Sequence, residues 1–221
     1  MPYRAIVVGA TGAVGSALVR ELCASSQCEA VTVLVRRPVD TFANDPKVIQ
    51  RMMDLDQLER DTLVAAAGCD RGFCTLGIGQ PSKAPRDELW RVDVEYAAAF
   101  ARGCRAAGVR HVSLLSAVGA KLGSRTYYFH VKGSAEKAMV DPGFERVSHF
   151  RPSVIITPQA RYGTGDHLLR WTMPKVSWML PGRVHEVRME DLARAMCRNA
   201  EQPATAAVEI LHYPDFVRIN A

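Results

Sequence analysis

From Arg4 to Ala10 the chain reads RAIVVGA, a short unbroken apolar run closed by glycine, which is the pattern of a parallel strand covered on both faces. Val14, Leu18, Val19 and Leu22 then recur at helical spacing over Ala13 to Ala24, and AVTVLV from Ala30 to Val35 is again a β-branched run. Strand, helix and strand in that order form a βαβ unit, whose crossover is expected to be right-handed. The alternation continues with a short strand over Lys47 to Arg51, a helix from Leu55 to Ala66, and GFCTLG from Gly72 to Gly77 at the end of a fourth strand. Past a Gly- and Pro-containing loop, Gly77 to Pro85, one long helix is predicted from Arg86 to Ala107 and a fifth strand from Val109 to Leu115. Tyr127 to Val140 reads as a helix stopped by Asp141, Pro142 and Gly143, and Arg146 to Arg151 as a sixth strand.

Beyond residue 150 the pattern loosens. Thr157 to Asp166 reads as a loop. Leu168 to Leu180 carries Trp171, Met173, Trp178 and Met179 around Pro174, a lid or else ordinary core or subunit contact. Glu190 to Ala200 reads as a helix and Ala206 to Leu211 as a last strand. Strands alternating with helices predict an α/β fold, a doubly wound parallel sheet of the Rossmann type. The expectation is one domain over 1–221, with 157–221 partly forming a small irregular substrate or lid region.

Composition agrees with this frame: 48% hydrophobic and 23% charged residues in 221 give a chain able to build a core, which excludes disorder, collagen and coiled coil. No apolar stretch nears the roughly 18 residues that cross a bilayer, and Met1 to Arg4 runs straight into a strand, so no membrane association and a cytoplasmic protein are expected. The six cysteines show no C-x-x-C pair and the six histidines no H-E-x-x-H, so no metal site is expected and the thiols read as reduced core residues. A formal charge of +5, with dispersed basic residues, is too little for nucleic acid and suits a small anionic ligand.

Such a ligand has an evident place. Gly9, Ala10, Thr11, Gly12, Ala13, Val14 and Gly15 form a G-x-x-G-x-x-G run between the first strand and its helix. There the unpaired amides of a helix N-terminus meet a backbone that glycine leaves open, so a pyrophosphate can approach closely. At the end of the second strand, where an acidic residue would select NAD, stand Arg36 and Arg37. Guanidinium groups suit the 2′-phosphate of NADP, with a solvated basic turn as the bland alternative. Asp54 is a candidate to touch the adenine or, equally, a helix cap. Tyr128 and Lys132 are four apart, so on a helix their side chains lie about 40° apart on one face, whereas Tyr127 lies about 140° from Lys132. A phenol needs a neighbouring ammonium to exchange protons at neutral pH, and Lys132 can supply it. Ser116 ends the fifth strand, at the sheet edge where open α/β sheets bind ligands, and is a candidate to orient a substrate oxygen; Ser113 lies deeper.

With these residues the chain resembles a short-chain dehydrogenase/reductase. More narrowly it is similar to the atypical branch of Tat-interacting, oxidoreductase-like proteins, through GATGAVG at Gly9–Gly15, VRR at Val35–Arg37, GFCTLG at Gly72–Gly77 and VDVEYA at Val92–Ala97. HVSLLSAVGA at His111–Ala120, YFHVKG at Tyr128–Gly133 and FRPSVII at Phe150–Ile156 extend the likeness, which fades beyond about residue 160. The resemblance implies an NADP-binding Rossmann fold, with NAD as the alternative coenzyme. Thr75, Leu76 and Gly77 would line the coenzyme, and the segment after Arg151, with Pro152 and Val154, would approach the nicotinamide. Tyr128 would be the acid/base, Lys132 its electrostatic and ribose-binding partner, and Ser116 the substrate-orienting group. Two departures stand out: TLG replaces an Asn-Asn-Ala-Gly run, and Ala117 follows Ser116 where a second serine is usual. The expected function is hydride transfer between NADP(H) and a carbonyl or alcohol on a small, partly hydrophobic substrate. The alternatives are an NADP(H)-sensing regulator with a protein partner, and an NAD-dependent epimerase or dehydratase.

Overall fold

Strand β1 (Tyr3–Val8) alternates its side chains between two apolar layers: Tyr3, Ala5 and Val7 enter one core cluster, Ile6 and Val8 the other. A strand buried on both faces in this way needs helices on both sides. The computed structural model describes residues 2–42, 44–157 and 185–221. The chain continues through α1 (Ala13–Ala24), β2 (Cys28–Val35), β3 (Val48–Met52), α2 (Leu58–Ala65) and β4 (Arg71–Cys74). There follow α3 (Arg86–Trp90), α4 (Tyr96–Ala106), β5 (His111–Leu115), α5 (Tyr127–Val140) and β6 (Arg146–Phe150). Two short strands, β7 (Ile155–Ile156) and β8 (Val187–Arg188), precede α6 (Met189–Glu201), β9 (Val208–Leu211) and α7 (Tyr213–Asn220).

Seven strands pair in parallel in the order β3-β2-β1-β4-β5-β6-β9, while β7 and β8 form a separate parallel pair. The fold is the doubly wound Rossmann type expected from the sequence. One layer is α1, α6 and α7, with Leu18, Leu22, Leu192, Met196 and Phe216 at its centre. The other is α2, α4 and α5, with Leu58, Phe100, Val131 and Met139. Strand order reverses between β1 and β4, and an open crevice forms at the strand carboxyl ends at such a switch point.

The differences from the sequence reading are local. The helix expected from Leu55 opens as a 3-10 turn (Leu55–Gln57), and GFCTLG leaves the sheet at Cys74, so Thr75 to Gly77 is loop. The long helix over Arg86 to Ala107 is interrupted by a π-helical turn, Arg91–Glu95, in which Tyr96 N donates to Arg91 O five residues back. An amphipathic pattern does not register one extra residue in a turn. The short strands β7 and β8 and helix α7 were not anticipated. The loop expected over 157–166 and the lid expected over 168–180 fall, except for Thr157, outside the described residues.

At the opposite, amino end of the sheet lies a buried polar knot. Arg146 Nε and Nη2 donate to Glu209 Oε2 at 3.0 and 2.9 Å, joined by Ser148 Oγ at 2.8 Å and Asn199 Nδ2 at 3.2 Å. Ser148 spends its proton on Glu209, so His111 Nε2, 2.9 Å from Ser148 Oγ, is the donor to it. The knot fastens β5, β6, β9 and α6 far from the switch point. All six cysteines are free, and among the described residues no helix is long and apolar enough to cross a membrane.

Candidate coenzyme and active site

The loop from β1 into α1 is built around its glycines, each for a different reason. Gly9 has φ +82, and a Cβ there would lie 2.7 Å from the Thr75 carbonyl carbon, so the loop can touch the β4 exit only as glycine. At Gly15 a Cβ would strike the Gly9 carbonyl oxygen and come within 2.7 Å of Thr75 Oγ1. Thr75 in turn donates its hydroxyl to Val8 O at 3.0 Å, binding the two strand exits together. Gly12 differs: its φ is −71, and among the described residues the close atom for an added Cβ is Gly9 O at 3.2 Å. Gly9 and Gly15 serve packing, whereas Gly12 meets little else among the described residues at the mouth.

Helix α1 starts there with no side-chain cap and no acidic residue in its first turn, so its leading amides and the positive end of its dipole are available to an anion. Thr11 is exposed and Ala13 half-buried, while Val14 turns into the core and offers the mouth only its backbone amide. A cavity of about 600 Å³ opens beside β2 and β3, lined by Arg36, Met53, Asp54, Leu55, Asp56, Arg91 and Tyr96. Arg36 is in it and Arg37 is not among its lining residues. Asp54 Oδ1 accepts from Asp56 N at 3.0 Å, which makes it the cap of the turn, and the residue also lines the cavity. Arg91 and Tyr96 come from the π turn and its end, and the sequence reading missed them. The glycine mouth, the unblocked helix end and this cavity with its two arginines fit a dinucleotide.

Helix α5 carries the second group. Lys132 Nζ lies 5.9 Å from the centroid of the Tyr128 ring, so the spacing does place both on one face. Tyr127 points elsewhere, donating to Arg86 O at 2.9 Å under the Arg86 guanidinium. Lys132 is buried in an ion pair with Asp93 of the π turn, Nζ to Oδ1 at 2.5 Å, with side-chain exposures of 9% and 2%. Asp93 Oδ2 accepts from Ile78 N at 3.3 Å, and an added Cβ at Gly77 would lie 3.5 Å from both charged atoms of the pair. The loop Thr75 to Gly77 thus passes over the lysine, while half-buried Leu76 packs against the core. Asp93 was inside the VDVEYA segment and shares the buried stripe of Leu89, Ala97 and Phe100, a position the sequence reading did not single out; in the structure it lies in the π turn Arg91–Glu95.

Ser116 sits on the α5 side of the sheet, two residues after Leu114, and donates its hydroxyl to Glu136 Oε1 at 2.5 Å. Glu136 is held on both oxygens by Arg151, at 2.8 and 2.5 Å. Ser116 and Tyr128 therefore attach to α5 at different turns, and the serine proton is committed. Pro152 O accepts from Val118 N at 2.9 Å and Val154 O from Val187 N at 2.9 Å, which ties the segment after β6 to the loop after β5 and to β8.

Comparison with known proteins agrees with this geometry. The family described as NAD(P)H-binding matches residues 9–142, more than half of the chain. Protein HTATIP2 of Rattus norvegicus is 32% identical over 210 residues, 93% of this chain and 84% of that protein. Protein FMP52, mitochondrial, of Eremothecium gossypii is 28% identical over 161 residues, 73% of this chain and 70% of that protein. Among solved structures, MoeE5 in complex with UDP-glucuronic acid and NAD superposes with a TM-score of 0.71 at 19% identity, covering 94% of this chain and 75% of that one. The Citrobacter sp. triphenylmethane reductase complexed with NADP(H) gives 0.66 at 19%, covering 94% and 68%. These structures share the fold. Glycine mouth, switch point and sequence relatives together make this chain a member of the NAD(P)H-binding family, in its HTATIP2-like, oxidoreductase-like branch.

Proposed function

We propose that this chain is an NADP-dependent oxidoreductase that interconverts a carbonyl and an alcohol on a small, partly hydrophobic substrate, with Tyr128 as acid/base. The observation that carries the reading is the buried Lys132 ammonium, 5.9 Å from the Tyr128 ring and beside the Gly77 loop that leaves the switch point. The coenzyme supplies the hydride when bound. Tyr128 gives its proton to the substrate oxygen as the carbon is reduced, and Lys132 stabilises the phenolate left behind. Ser116, whose proton goes to Glu136, can serve a substrate as acceptor only: it can receive a bond from an alcohol and has none to donate to a carbonyl. Arg36 and Arg91 supply the cationic cavity that favours a 2′-phosphate. Pro152 and Val154 border the nicotinamide in this reading.

Tyr128→Phe is expected to abolish turnover while NADPH affinity stays within a few-fold, measured by coenzyme fluorescence. Turnover at the parent rate would remove Tyr128 from the chemistry. NADPH binding without turnover across a broad carbonyl panel would favour a coenzyme-sensing protein instead. The reading keeps the chain in the cytoplasm, and fractionation into mitochondria, the compartment in the FMP52 names, would overturn that part.

A further inference from the structure

Lysine beside tyrosine is ordinarily a device for making phenolate, because a nearby ammonium favours the charged form of the phenol. Here the ammonium is not alone. Asp93 lies against it at 2.5 Å with both groups buried, and two opposite charges that close together act at a distance as a dipole rather than as a cation. The aspartate sits in the π turn Arg91–Glu95, on the buried side with Leu89 and Ala97, and its second oxygen accepts from Ile78 N at 3.3 Å, so it is held from two sides.

We infer that Asp93 is a positioning residue for the chemistry: it fixes Lys132 beside Tyr128 and offsets its charge, so that Tyr128 stays a neutral proton donor until the substrate takes the proton. This rests on the reading of Tyr128 as acid/base. In the step it serves, the carbonyl carbon gains a hydride from the reduced nicotinamide coenzyme and the carbonyl oxygen gains the Tyr128 proton. The coenzyme is oxidised, the carbonyl is reduced to an alcohol, and the phenolate regains a proton from water. Reduction then runs at neutral pH, whereas alcohol oxidation, which needs phenolate at the outset, requires a more alkaline solution.

The groups around α5 leave the decision to this pair. Burial raises the Tyr128 phenol; Lys132 opposes that rise and Asp93 reinforces it. From β4, the Cys74 thiol is pushed up to about 12 by burial, so it faces Lys132 uncharged at neutral pH. One turn farther along α5, Glu136 and Arg151 neutralise each other, with Ser116 of the β5 exit as their neutral neighbour. On the outer side of α5, the His130 ring lies tilted beside Trp90 and its Nδ1 accepts from Gly123 N, and Arg86 covers Tyr127.

The test is an ultraviolet titration of phenolate absorbance on the intact chain without substrate, with the Tyr128→Phe variant subtracted to isolate one tyrosine. Asp93→Asn is expected to raise the Tyr128 ionisation constant by at least about tenfold, moving its midpoint down by about one pH unit. The pH profile of alcohol oxidation should shift by the same amount, and Asp93→Glu should bring both back toward the parent. An unmoved or raised midpoint in a folded Asp93→Asn protein would overturn the inference. If the lone buried lysine prevents folding, the double variant Asp93→Asn/Lys132→Met removes both charges and is expected to titrate Tyr128 within about half a pH unit of the parent. A larger displacement in either direction would show that the two charges do not offset each other. The titration needs no turnover. A Tyr128→Phe enzyme that still turns over would end the acid/base reading without touching this result, and the converse also holds.

Discussion

At Gly12 and Gly15 the same residue type answers two different demands. Gly15 is enclosed: an added methyl meets the Gly9 carbonyl and the Thr75 hydroxyl, so Gly15→Ala must push the loop off the β4 exit. Overpacking of this kind costs about 1–3 kcal/mol, and a drop in thermal midpoint is expected. Among the described residues Gly12 is open apart from Gly9 O, and it has an ordinary negative φ and faces the mouth. Gly12→Val is therefore expected to leave the thermal midpoint near the parent's while weakening NADPH binding by about tenfold or more, read by fluorescence titration. A Gly12→Val protein that binds as the parent does would move the diphosphate away from this mouth. The sequence shows three glycines at even spacing; which of them answers to the chain and which to the ligand depends on Thr75, sixty residues on.

The π turn is the element that the hydrophobic pattern could least reveal, and it serves both ends of the site. Helix α5 was legible to its end residues, because Tyr127 and Pro142 punctuate it and Tyr128 and Lys132 share a face by simple rotation. The β1 and α1 pair was legible for a similar reason, with a continuous apolar run giving way to a helical one. Between Arg86 and Ala107 the apolar positions continue without a break, so one straight helix was expected. The wide turn at Arg91–Glu95 carries both Asp93, which pairs with Lys132, and Arg91, which lines the cavity that holds Arg36. Turns of this kind gather at functional sites. Charge-assisted bonds from a guanidinium to a phosphate contribute about 1.5–3 kcal/mol, so Arg91→Ala is expected to weaken NADPH binding about tenfold or more and NADH binding by less than about twofold. Equal losses for both coenzymes would mean that Arg91 contacts something other than the 2′-phosphate. Ser116 was legible as a strand-end hydroxyl, but its commitment to Glu136 was not, since that bond joins two elements twenty residues apart.

Across the whole molecule, the buried titratable groups make the fold acid-sensitive. Burial, with Arg146 and Arg71 adding to it, lowers His111 to about 3, and burial lowers His149 to about 4. Unfolded histidine titrates near 6.5, so below that pH the unfolded chain binds protons that the folded chain refuses, and stability falls as pH falls toward about 4 and then 3. Burial alone would raise Glu209, but hydrogen bonds from the Thr205 backbone, Ser148, the Thr205 hydroxyl and Arg146 outweigh it and hold the carboxyl at about 2. Its stabilisation is present above about 4.5 and is lost as pH falls toward 2, so between pH 6.5 and 4.5 the two histidines set the slope. Each contributes up to about 1.4 kcal/mol per pH unit there, and His149→Leu is expected to remove close to one proton from the slope of denaturation free energy against pH. A slope unchanged by His149→Leu would mean that the folded protein protonates His149 as readily as the unfolded chain does.

The layer beneath the glycine mouth is completed late. Leu18 and Leu22 of α1 rest on Leu192 and Met196 of α6, with Phe216 and Ile219 of α7 behind them, and the last strand β9 joins the sheet only after α6. During synthesis, then, α1 meets Leu192, Met196, Phe216 and Ile219 only once α6 and α7 have emerged, more than 150 residues after α1 itself. Until then the nascent chain carries the α1 side of this layer as an open apolar face.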